Sequence, residues 1–219
     1  MIQPKNLASI LKQWAPENGS LRRGRGFLGR GLELRGRNDA ALDERMTMAE
    51  KAEEVYDLLN KQINEELYSA YLYLTFADYY DERGLKGYAN WYMVQVQEEL
   101  AHAKILRRFL LDHDYSVKMF AIAEPDLEFD SDLAPLKAGL AHEKHITDCI
   151  NKCYSAAAGI ADWRTVKLLD WYIQEQGEEE TNASDLIKDY ELFGTSPQGL
   201  YALDQSYLNR TFVAPTMAM

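Results

Sequence analysis

Apolar positions along this chain recur at alternating spacings of three and four, the mark of helix faces turned toward a core. Over residues 48 to about 80 the stripe runs Val55, Leu59, Gln62, Glu66, Ala70, Tyr73 and Ala77. Over about 85 to 113 it runs Tyr88, Tyr92, Gln95, Glu99, His102, Leu106 and Phe109. A third helix is predicted over about 132 to 159, with Leu136, Leu140, Glu143, Ile146 and Ile150 on one face. A fourth is predicted over about 162 to 192, carrying Val166, Leu169, Ile173, Gln176, Glu179, Ala183, Leu186 and Tyr190. Gly194 and Pro197 break that pattern, and a short fifth helix is expected over about 197 to 209.

The connections set the topology. Asp81-Glu82-Arg83-Gly84 makes a tight turn between the first two helices. Gly159 ends the third helix and Asp162 can cap the fourth. Residues 114–131, with Pro125, form a connection too long for a simple turn. In a bundle of helices roughly 42–50 Å long, a connection of that length runs end to end, so the next helix starts at the far side. The expected architecture is all-α: a four-helix bundle with one long crossover between helices 2 and 3, plus a short C-terminal helix.

Each stripe carries a glutamate near its middle: Glu66, Glu99, Glu143 and Glu179. His102 lies three residues after Glu99, and Gln176 three before Glu179, so each shares a face with its glutamate. A lone glutamate of this kind is ordinarily turned to solvent by a small rotation of its helix. Four in one core would repel and desolvate one another unless cations compensate them. Two divalent ions bring +4 against −4, and carboxylates with an imidazole suit iron or manganese.

Composition narrows the setting. The 219 residues are 47% hydrophobic and 27% charged, a globular balance with enough chain for a real core. No apolar run is long enough to span a membrane, and the N-terminus has no compact signal-peptide core. Cys149 and Cys153 lie four apart on one helix face, poorly placed to bridge, which points to a reducing cytoplasm. A zinc site built on those two is not expected, because no CxxC pattern accompanies them. Charge is uneven. Residues 1–45 hold nine Lys/Arg against five acids, a net +4, which leaves −15 on the rest of a chain whose total is −11. The acidic body favours cations over nucleic acid. Residues 1–45, with the Arg/Gly-rich run from Arg22 to Arg37, are expected to be a disordered tail, or an upstream stretch before a start at Met46 or Met48, ahead of a single helical domain over 46–219. The competing reading is a basic arm for nucleic acid or a targeting segment.

Four passages carry a resemblance to a known family. Gln62-Ile63-Asn64-Glu65-Glu66-Leu67-Tyr68-Ser69, Gln97-Glu98-Glu99-Leu100-Ala101-His102, His142-Glu143-Lys144-His145-Ile146 and Trp171 through Glu180 resemble the four helices of prokaryotic non-haem ferritin. Gly194 to Tyr201 resembles that family's passage into its fifth helix. The resemblance spans about residues 49 to 207 and leaves 1–45 without a counterpart. It implies a ferritin-like fold, iron storage with ferroxidase activity, and a cage of twenty-four like subunits. One iron would sit at Glu66, Glu99 and His102, and the other at Glu99, Glu143 and Glu179 with Gln176 adjacent. Glu99 would bridge them, and Tyr73 would match the tyrosine beside the centre. A third iron would fall on Glu98, Glu175 and Glu178. Dioxygen or peroxide would be the oxidant.

Departures from related families sharpen this. Bacterioferritin repeats Glu-x-x-His on its fourth helix, where this chain has Gln176-x-x-Glu179, and its haem-ligating methionine falls at Leu100, so no haem is expected. Mini-ferritins that protect DNA lack such a fifth helix, and rubrerythrin-type peroxidases carry a paired CxxC module absent here. A DNA-associating protective cage acting through residues 1–45 is the alternative function. His142 and His145, one turn apart, read as surface histidines or as a metal entry point, and His113 as a helix-terminal group.

Overall fold

The computed structural model describes residues 36–216, with side chains from residue 47 onward. The packing sets a boundary between Glu44 and Arg45, and the residues from Arg45 onward form one compact unit. Residues 1–35, with most of the Arg/Gly-rich run, lie outside the described residues. The described residues form α1 (Gly36–Glu82), α2 (Lys86–Asp112), α3 (Leu133–Gly159), α4 (Trp163–Asp189) and α5 (Pro197–Tyr207), with a π-helical turn at Tyr190–Gly194 and no strand. None of these helices is long and apolar enough to cross a membrane.

One boundary differs from expectation: the chain is already helical at Gly36, well before residue 48. Composition had weighed Arg35-Gly36-Arg37 as irregular. Locally, however, Ala40-Ala41-Leu42 are strong helix formers. A single Gly costs only about 1 kcal/mol against that run.

The helix ends follow local chemistry. Asp162 accepts from the Thr165 N–H and Ser196 from the Gly199 N–H, capping α4 and α5. Helices α1, α2 and α3 end in the same closure. The N–H of Leu85, Tyr115 and Asp162 reaches back to the carbonyl of Tyr80, Leu110 and Ala157, respectively. That closure needs a left-handed residue, supplied by Gly84 (φ 79°), Asp114 (φ 58°) and Ala161 (φ 58°). The expected terminator Gly159 remains helical, and the chain reverses at Ala161 instead.

Side-chain burial divides the bundle into two apolar halves. One holds Val55, Leu59, Ile63, Leu106, Leu110, Ile146, Ile150 and Leu169. The other holds Leu72, Tyr73, Phe76, Tyr80, Tyr88, Tyr92, Leu136 and Leu186. Between them lies a buried polar layer: Gln62, Glu66, Gln95, Glu99, His102, Glu143, Gln176 and Glu179. The predicted stripes of α1 and α2 are buried almost throughout. On α4 the stripe is displaced at one step, because Ile173 is exposed and Tyr172 takes the core position. Positions 172 and 173 straddle the centre of the stripe, and the larger ring, donating to the His102 carbonyl, occupies the inside.

The crossover runs as its length implied. Tyr115 donates to Asp57, the Asn60 side chain pairs with both backbone groups of Lys118 (2.8 and 2.9 Å), and the far end meets Tyr80, which donates to the Asp132 carbonyl. From Asp57 to Tyr80 along α1 is about 35 Å at 1.5 Å per residue. Helix α5 closes the other end of α2. Leu85 offers no side-chain cap, and Asp204 of α5 accepts instead from the Gly87 and Tyr88 N–H groups (2.7 and 3.1 Å). A side chain at position 87 would collide with the Asp204 carbonyl, so only glycine permits that approach.

Candidate metal centre

The polar layer is the site. Because i, i+3 and i+4 share a helix face, each stripe that buries its apolar residues must bury its glutamate too. Glu66 comes from α1, Glu99 and His102 from α2, Glu143 from α3, and Gln176 and Glu179 from α4. Glu66, Glu99 and His102 converge, with one donor atom of each lying within 4.8 Å of the others, all buried. His102 turns Nδ1 toward Glu99 Oε2 at 3.4 Å and Glu66 Oε2 at 4.0 Å. Its Nε2 faces Glu175 Oε1 at 3.7 Å, too far for a hydrogen bond. Glu66 Oε2 and His102 Nε2 are buried without any hydrogen-bond partner, a costly state for polar atoms in a core. A cation bound by these donors removes that cost, so this donor set fits one.

The remaining carboxylates are held by neutral donors. Gln62 donates to Glu66 (3.0 Å), and Gln95 to Glu179 (2.7 Å). Gln176 donates to the Glu143 carboxylate (3.1 Å) and carbonyl (3.2 Å), and Tyr73 donates to the same carboxylate. A narrow cleft bordered by Tyr73, Tyr92, Gln95, Glu143 and Glu179 reaches this side of the layer.

Electrostatics records the crowding. Burial raises the Glu66 carboxyl, with His102 and Gln62 opposing. Glu99 is held well above the usual carboxylate range by burial, then by the charges of Glu143 and Glu66. Burial pushes Glu143 up to about 7. Burial, then the charges of Glu143 and Glu98, push Glu179 up to about 8. Burial works to lower the His102 imidazole, but Glu175, Glu99 and Glu66 hold it well above its ordinary value. Without a cation the layer therefore retains protons, as like charges in a low dielectric demand.

The three residues expected to hold a third ion stand apart from one another in environment. Glu98 is tied to Arg210, from the segment after α5, at 2.7 Å. Glu175 lies beside His102, and Glu178 is exposed. Arg210 also donates to the Gln95 side chain and the Trp91 carbonyl and lies 4.0 Å over the Trp91 ring. Sequence reasoning missed Arg210 altogether. It assigned Gln62 and Gln95 stripe positions but no function, although a glutamine one turn before Glu66 and another before Glu99 was a visible signal.

The chain matches the family described as Ferritin-like domain over residues 56–193, a span that contains every group of the polar layer. It belongs to the ferritin family. A bacterial non-heme ferritin of Campylobacter jejuni is 34% identical over 158 residues, covering 72% of this chain and 95% of that protein. One from Staphylococcus saprophyticus is 31% identical, covering 73% and 95%. Among solved structures, a closed form of the Archaeoglobus fulgidus ferritin aligns with a TM-score of 0.72 at 41% identity over 74% of this chain and 98% of that one. The open-pore ferritin of the same archaeon aligns at 0.71. In this ferritin, His142 is not a free surface histidine. Its Nε2 lies 2.7 Å from Ser69 Oγ, and burial pushes it down to about 3. His113 turns Nδ1 to the Phe109 carbonyl at the end of α2. Both cysteines are free.

Proposed function

We propose that this ferritin takes iron(II) as substrate, oxidises it at a two-metal centre within each subunit, and stores the ferric product inside a closed homo-oligomeric cage, with twenty-four subunits expected. The observation that carries this reading is the buried convergence of Glu66, Glu99 and His102, in which Glu66 Oε2 and His102 Nε2 make no hydrogen bond. Glu66 and His102 hold one ion. Glu143 and Glu179 hold the other, with Gln176 beside them. Glu99, between the two groups, bridges. Tyr73 and Gln176 fix Glu143, while Gln95 fixes Glu179, so the carboxylates meet the incoming ions already oriented. Cation binding displaces the protons held there and releases them. The hard carboxylates then favour the ferric over the ferrous state, and electrons pass to dioxygen or peroxide.

Stopped-flow oxidation of iron(II) by the purified protein tests this, with assembled mass measured in parallel. Wild type should show a fast phase, and Glu99→Ala should lose it. A third ion at Glu98, Glu175 and Glu178 is an accessory. Glu175→Ala with Glu178→Ala should keep the first fast phase and change only later turnovers. Loss of the fast phase in that double variant, as complete as in Glu99→Ala, would overturn the division into centre and accessory site. Light scattering that finds only monomers or dimers would overturn the cage.

A further inference from the structure

A second group of metal-ligating side chains converges outside the carboxylate layer. Glu65 is one residue from Glu66, so it points about 100° away around α1, out of the core and toward α3. On α3, His145 and Cys149 are four apart and lie one above the other. One donor atom from each of Glu65, His145 and Cys149 lies within 4.8 Å of the other two. Glu65 Oε2 is 3.0 Å from His145 Nε2, and Cys149 Sγ is 3.6 Å from the same nitrogen. A tetrahedral ion with metal–nitrogen and metal–oxygen bonds of about 2.1 Å and a metal–sulfur bond of about 2.3 Å sets nitrogen–oxygen and nitrogen–sulfur edges near 3.4 and 3.6 Å. The donors already stand close to those separations.

We propose that Glu65, His145 and Cys149 form a thiolate-containing site for one borderline-soft divalent cation of the zinc(II) class. A carboxylate, a neutral imidazole and a thiolate balance +2 and leave the fourth position open. That mixed donor set distinguishes the site from the all-oxygen-and-imidazole centre and selects against calcium and magnesium. The three side chains are half-buried, accessible to an ion yet partly shielded from water. Cys153, one turn on, is buried in the apolar half and takes no part. The site does not depend on the proposed iron chemistry.

Cobalt(II) is the probe, because a sulfur ligand adds a thiolate-to-metal charge-transfer band that the carboxylate centre cannot produce. Titration of the metal-free full chain should develop that band to one equivalent per subunit, and zinc(II) should abolish it by displacement. Cys149→Ser should lose the band. Glu65→Gln and His145→Ala should weaken binding by at least the roughly 10- to 100-fold that supporting partners of a metal site are worth. Glu99→Ala and Cys153→Ser should keep it. No sulfur band, a band that survives Cys149→Ser, or a band lost in Glu99→Ala would each overturn the proposal. Glu65→Gln, which changes neither size nor the α3 side of the site, keeps the test decisive should Cys149→Ser fail to fold.

Discussion

Glu179→Gln should flatten the pH dependence of stability in the metal-free protein. The Glu179 carboxyl is pushed up to about 8 in the folded chain by burial and by Glu143 and Glu98, against an ordinary 4.5. Because the folded value is the higher one, the folded state keeps a proton that the unfolded chain releases. Its stabilising contribution is fully present below about pH 4.5 and is lost as pH rises through about 8. At 1.36 kcal/mol for each pH unit over which the two states differ by one proton, the window from 4.5 to about 8 amounts to about 5 kcal/mol, an upper bound. Glutamine is neutral throughout, and its amide oxygen can still accept from Gln95. The assay is denaturant unfolding of chelator-treated protein at pH 5, 6.5 and 8, at one protein concentration. Wild type should lose several kcal/mol across this range, and the variant distinctly less. With a divalent cation bound, the trend should reverse, since metal binding competes with protons. An equal loss between pH 5 and pH 8 in the variant and wild type would refute the argument that Glu179 holds a proton in the folded layer.

Three further outcomes follow from single contacts. Ala161→Gly should raise stability by about 1 kcal/mol, because Ala161 sits at φ 58°, where a Cβ is strained; a thermal melt that moves down refutes it. Asp204→Ala should cost about 1–3 kcal/mol by removing the acceptor for the Gly87 and Tyr88 N–H groups, and hydrogen exchange should quicken at the first turn of α2. Arg210→Gln should free Glu98 and raise the number of iron(II) ions bound per subunit in an anaerobic titration, whereas unchanged stoichiometry would show that the pair does not compete with a third ion.

Much of this ferritin was legible along the chain. The three-and-four spacing reported the helices and, through Glu66, Glu99, His102, Glu143 and Glu179, the depth at which they carry their carboxylates. Those features are local: backbone geometry over a few residues decides which side chains share a face. The long crossover was legible for a similar reason, since 18 residues without helical pattern cannot be absorbed in a turn. The early start of α1 was also written locally, in Ala40-Ala41-Leu42, but a composition reading of the Arg/Gly run hid it.

What the tertiary structure decided is which faces meet. Tyr172 rather than Ile173 enters the core because rotation of α4 is set jointly by all its neighbours, and no window of sequence contains them. Gln95 serves Glu179, 84 positions away, rather than Glu99 one turn below it. Arg210 reaches Glu98 only because α5 folds back on the start of α2 through Gly87 and Asp204. In the group of Glu65, His145 and Cys149 the sequence shows only the His145/Cys149 spacing, because Glu65 comes from another helix whose register against α3 exists only once the bundle is packed. Periodicity tells each helix which side to bury. The pairing of side chains across helices depends on rotations and offsets that emerge from packing the whole core at once.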